Sequence, residues 1–90
     1  MSYVIEFTKT ALNDIKLLKK SGNKKAISKL EFLFKELQEH PHTGTGQVEI
    51  LKYFEIETFS KRINNEHRLV YQINEQKITV LVLTAFGHYK

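Results

Sequence analysis

His40-Pro41-His42-Thr43-Gly44-Thr45-Gly46 divides the chain into two halves of different periodicity. A proline after His40 disfavours further helix, because its ring restricts the preceding residue and it has no amide proton. Gly44-Thr45-Gly46 then reads as a loop. Upstream, Ala26, Ile27, Leu30, Leu33, Phe34 and Leu37 fall on one face of a helix that begins near Asn23. Before that, Ala11, Leu12, Ile15 and Leu18 repeat at the same spacing between Thr8, a suitable N-cap, and a break at Ser21-Gly22. Tyr3, Ile5 and Phe7 alternate with Val4 and Glu6 as a short opening strand. Downstream, β-branched and aromatic residues dominate, and strands are predicted over 49–52, 56–63, 67–73 and 77–86. The intervening turns fall at Asn64-Asn65 and Asn74-Glu75-Gln76. Ile78 to Leu83 is apolar on both faces apart from Thr79, which predicts a central, doubly covered strand. The expected fold is α+β: an N-terminal strand and an antiparallel helical hairpin packed on one face of a twisted, mainly antiparallel sheet, with the other face open.

Ninety residues suit one domain spanning 1–90, and 41 % apolar with 27 % charged residues is ordinary globular composition. Disorder, collagen and solenoid architectures are thereby excluded. The chain contains no cysteine, so neither disulfides nor a thiolate zinc site can staple it. No apolar run approaches the roughly 20 residues that span a bilayer, and the first residues lack the pattern of a signal peptide. A cytoplasmic, non-membrane protein is expected. The net charge of +4 is unevenly placed: Lys16, Lys19, Lys20, Lys24, Lys25, Lys29 and Lys35 crowd the predicted helices, and Lys61, Arg62 and Arg68 follow an acidic middle. Such segregation favours a polyanion or an acidic protein, although a solvated helical surface explains the lysines equally well.

Only two of the fourteen basic residues are arginines, Arg62 and Arg68, and both fall on adjacent predicted strands. The guanidinium fork matches phosphate oxygens, while for either arginine alone a salt bridge with Glu57 or Glu66 is the commoner role. His40 and His42 flank a proline in a turn, a poor basis for a metal site without further ligands, and no cofactor is expected. Glu49 lies between Val48 and Ile50, where an edge-strand charge is the default explanation. His88 follows Gly87 at the end of the last strand. Together Glu49, Arg68 and His88 would supply a base, an anion stabiliser and an acid.

Gly44-Thr45-Gly46-Gln47-Val48-Glu49-Ile50-Leu51-Lys52, then Ser60-Lys61-Arg62-Ile63-Asn64-Asn65-Glu66-His67-Arg68-Leu69-Val70-Tyr71, then Gly87-His88-Tyr89, resembles the YoeB (Txe/YoeB) family of the RelE/ParE toxin superfamily in order and spacing. The resemblance implies a RelE-like fold and the toxin half of a type II toxin-antitoxin pair, a ribosome-dependent mRNA endoribonuclease acting without a metal. On the positions that match, Glu49 is the expected general base, Arg68 the phosphate-binding arginine, His88 the general acid and Tyr89 the terminal aromatic. Lys52, Lys61 and Arg62 are the expected RNA-binding residues. A YefM-like antitoxin, mRNA on the ribosome and a homodimer are the expected partners. The chain departs from the family in ending with Lys90 after Tyr89, in having Phe59 where tryptophan is usual, and over residues 54–58. Two other functions compete: a non-catalytic ParE-like toxin, disfavoured by the Glu49, Arg68, His88 and Tyr89 set, and a ribosome- or RNA-binding module that uses the lysine-rich helices.

Overall fold

The computed structural model describes residues 2–42, 48–51 and 54–86. Two helices, α1 (Lys9–Lys20) and α2 (Lys24–Glu39), are each started by the cap that the sequence offers. The Thr8 hydroxyl oxygen accepts from the Ala11 amide at 3.0 Å, and the hydroxyl donates to the Leu83 carbonyl at 2.7 Å, so the cap also ties α1 to the sheet. Asn23 accepts from the Ala26 amide at 3.1 Å. Between the helices Gly22 takes a φ of 74°, a left-handed conformation that glycine adopts without a Cβ clash.

Five strands form one sheet: β1 (Val4–Phe7), β2 (Glu49–Leu51), β3 (Thr58–Arg62), β4 (Arg68–Asn74) and β5 (Thr79–Thr84), in the order β1-β5-β4-β3-β2. β1 runs parallel to β5, and the other three pairings are antiparallel. The α+β architecture therefore agrees with expectation, but β3 and β5 each start two residues later than predicted. β5 begins at Thr79 because Ile78 has a φ of 52°, outside the extended region and strained by about 1–3 kcal/mol for a β-branched residue. Its carbonyl accepts from the Val4 amide at 3.0 Å, which anchors the start of β1. β3 begins at Thr58, leaving Ile56 exposed on the approach.

The helices cover one sheet face. Ala11, Leu18, Ala26, Leu30, Leu33 and Leu37 pack against Phe59, Ile63, Leu69, Tyr71, Val80, Val82 and Ala85. Each fully buried leucine or valine in this layer contributes about 1.5–3 kcal/mol of transfer free energy. β5 is interior, but only its Val80 and Val82 face lies under helices; Leu81 points the other way and is half-buried. Among the described residues no helix is long and apolar enough to cross a membrane.

One edge of the fold is closed by a polar cluster. Glu75, in the β4–β5 turn, accepts from the Tyr3 hydroxyl at 2.7 Å and meets His42 through its other oxygen. The hydrogen bond from Tyr3, then that from His42, holds the Glu75 carboxyl below the usual carboxylate range, and the same contact with Glu75 raises the Tyr3 phenol. A carboxyl whose folded pKa is lowered stabilises the fold above its unfolded pKa, and that contribution is lost as pH falls through the folded value. The raised phenol acts in the opposite sense, contributing fully below its unfolded pKa and losing the contribution as pH rises through the folded one. Glu75→Ala is therefore expected to lower the thermal midpoint at neutral pH and to converge with wild type in acid. A constant offset across the acid range would remove Glu75 ionisation as the cause.

Candidate active site

Residues directly opposite across antiparallel strands share a sheet face, so the register sorts the predicted residues. Glu49 pairs with Ser60, Ser60 with Val70, and Arg62 with Arg68. This places Glu49, Ser60, Arg62 and Arg68 together on the face away from the helices. The intervening residues Phe59, Lys61 and Ile63 point down into the helix-covered layer.

On the open face, Arg68 Nη2 lies 3.6 Å from Glu49 Oε1, and Arg68 Nε donates to Ser60 Oγ at 3.2 Å. The Arg68 side chain is only 10 % exposed whereas that of Glu49 is 59 % exposed, so a largely desolvated cation faces a carboxylate that solvent can reach. At 3.6 Å this contact exceeds ordinary hydrogen-bond length and is mainly electrostatic. Neither Glu57 nor Glu66 supplies this ion-pair partner; Glu49 does. Arg62 is exposed and directly opposite Arg68, which gives two guanidinium groups on one face of adjacent strands.

Lys61 is placed differently from its expected role. It is fully buried, with Nζ 3.2 Å from Glu36 Oε1 of α2, on the side of the sheet away from Glu49. Its place in β3, one residue before the outward-facing Arg62, turns it inward. Burial first, and the Glu36 charge second, push the nearby Tyr71 phenol well up, consistent with a low-dielectric pocket beneath β3 and β4. Lys52, His88 and Tyr89 lie outside the described residues.

Two residues with no role assigned from sequence belong to this region. Ser60 supports the Arg68 guanidinium. His67 is buried and its ring lies against Phe86, with centroids 4.2 Å apart, while the Ala85 amide donates to Asp14 Oδ2 of α1 at 3.1 Å. Those contacts secure the end of the β5 segment beside the start of β4. Both Ser60 and His67 stand within the family-like stretch, but only the pairing register identifies what they touch.

The exposed lysines of α1 and α2 lie across the molecule from the Glu49–Arg68 cluster, because the helices cover the opposite sheet face. The helical lysines and the candidate catalytic groups therefore occupy separate surfaces. Among the described residues no group of three His, Asp or Glu side chains is arranged to hold a metal ion.

Known proteins with this fold define a class. A YoeB dimer from Staphylococcus aureus superposes with a TM-score of 0.84 at 30 % identity, covering 99 % of this chain and all of that one. The toxin of a heterotetrameric YoeB-YefM toxin-antitoxin complex from the same organism gives 0.79, also at 30 % identity and the same coverage. The fold is that of a toxin from a bacterial toxin-antitoxin pair. Toxin YoeB of Synechocystis is 34 % identical over 86 residues, 96 % of each chain, and the sequence model of the YoeB-like toxins matches residues 7–89. The chain belongs to the family of YoeB-like toxins of bacterial type II toxin-antitoxin systems.

Proposed function

We propose that this toxin is a ribosome-dependent endoribonuclease that cuts mRNA by acid-base catalysis, with the RNA 2′-hydroxyl as nucleophile and no metal. The supporting observation is the Glu49 carboxylate facing a guanidinium that Ser60 braces on the open sheet face. Glu49 takes the 2′-hydroxyl proton, the 2′-oxygen attacks the adjacent phosphorus, and the bond to the 5′-oxygen breaks. Arg68 stabilises the charge that grows on the non-bridging oxygens, more effectively in its desolvated setting than in water. His88 donates the proton that the departing 5′-oxygen needs, and Tyr89 stacks on a base or orients the scissile phosphate. Lys52 and Arg62 contact flanking phosphates; the exposure of Arg62 on the same face as Arg68 supports its part. Lys61, expected among these contacts, serves instead beneath the sheet, since its ammonium is directed at Glu36.

A YefM-like antitoxin is the proposed restraining partner, supported by the similar toxin found in a YoeB-YefM complex, and a homodimer by the similar YoeB dimer. Both would operate in the cytoplasm, where ribosomes are available. The test is cleavage of mRNA placed in the ribosomal A site by toxin pretreated with a chelator and exchanged into the assay buffer. Products ending in a 2′,3′-cyclic phosphate, later opened or not, and a 5′-hydroxyl are expected, at the rate of untreated toxin. Intact mRNA, or 5′-phosphate ends, would refute the proposed chemistry.

A further inference from the structure

The buried hydroxyls of the sheet differ in what they bind. Thr58 and Thr79 each donate to a carbonyl two residues back in their own segment, at 2.8 and 3.0 Å. Thr58 also accepts across the β3–β4 ladder, from the neutral Gln72 side-chain amide at 3.1 Å, whereas Ser60 accepts there from the charged Arg68 Nε–H at 3.2 Å. It is only 1 % exposed, and its backbone is the register partner of both Glu49 on one side and Val70 on the other. Arg68 lies diagonally from it, two residues along from Val70, a separation that a long side chain can span. The Ser60 hydroxyl thus belongs to the strand between the one that carries the carboxylate and the one that carries the guanidinium.

We propose that Ser60 is a positioning residue for Arg68: by engaging Nε it sets the rotation of the guanidinium, so that the Nη edge faces Glu49 and the open face where a phosphate would lie. This rests on the ribonuclease assignment above. An arginine has several rotatable bonds, and engaging Nε leaves the two Nη groups as a fork of defined direction. Without the hydroxyl the charge stays nearby but its direction is no longer set, and misdirection of about 1 Å is costly in a transition state. Lys61, next in the strand, is held from below by Glu36, so β3 itself is anchored independently of Ser60.

Two readouts decide it. The chain has only two arginines, so the Arg68 Nε–H resonance can be told from that of Arg62 in a side-chain ¹H–¹⁵N spectrum. The Arg68 Nε–H is expected to exchange slowly in wild type, rapidly in Ser60→Ala, and slowly again in Ser60→Thr. In cleavage of ribosome-bound mRNA, Ser60→Ala is expected to lower kcat roughly 10- to 30-fold with KM changed less than about twofold. In an Arg68→Lys background, which has no Nε–H, the same substitution should cost less than about twofold further. Should Ser60→Thr fail to fold, the comparison between the two backgrounds still decides. Unchanged Nε–H exchange in Ser60→Ala, or equal loss in both backgrounds, overturns the proposal. A wild-type protein that cuts no RNA overturns the ribonuclease assignment and the catalytic consequence with it, while the exchange rates still establish or refute the orienting contact.

Discussion

Glu49→Gln is expected to lower mRNA cleavage by about 10²- to 10⁴-fold with the fold retained. The amide matches the carboxylate in shape but cannot take a proton from a ribose hydroxyl, so the loss should fall on kcat. Glu49 suits this test because it stands on the edge strand β2 with its side chain largely in solvent. Solvent reaches Glu49 and screens the charge lost beside Arg68, so the cost to stability is expected to stay at about 1 kcal/mol. Arg68→Ala is a less clean probe, since it empties a site that is only 10 % exposed and removes the partner of Ser60. Single-turnover cleavage of ribosome-bound mRNA measures the loss, with urea unfolding as the control. A Gln variant within about threefold of wild type would mean that another group takes the proton.

Much of the architecture is visible in the sequence because local and tertiary preferences coincide. Thr8 and Asn23 cap the helices at the predicted places, and the apolar faces that define α1 and α2 are those that enter the core. The strand boundaries are less legible. Ile78 has strong β propensity, yet the connection from β4 holds it at positive φ, so backbone closure overrides side-chain preference. The face on which each site residue lies is less legible still, since it depends on a one-residue count in the β3–β4 loop. Pairing that loop tightly around Asn64-Asn65 would put Lys61 opposite Arg68. Instead the Asn64 side chain accepts from the Glu66 and His67 amides at 2.9 and 2.8 Å, and the Ile63 amide pairs with the His67 carbonyl. The wider loop sets Arg62 opposite Arg68 and turns Lys61 underneath. Glu49 and Arg68 meet as their chemistry suggests, whereas Ser60 becomes noticeable only once that register is known.

The same register separates two basic neighbours that look equivalent in sequence. Arg62 lies on the open face and Lys61 below it, with its ammonium buried against Glu36. Removing one partner of a buried pair leaves the other charge desolvated, typically at a cost of 3–5 kcal/mol. Because the Glu36 side chain retains 17 % exposure, some of that penalty is relieved by water, and Lys61→Met is expected to destabilise the fold by roughly 2–3 kcal/mol. Adding Glu36→Leu should recover part of the loss, since the carboxylate that faced the ammonium is then gone and apolar groups occupy the space. Urea unfolding of the single and double variants measures both steps. RNA association provides the contrasting result. Arg62→Ala should weaken it and reduce the slope of log affinity against log salt by about one phosphate contact, whereas folded Lys61→Met should leave that slope as in wild type. If Lys61→Met instead lowered the salt slope with stability intact, its ammonium would have to reach RNA through the sheet, and the assignment of β3 to two functionally distinct faces would be wrong.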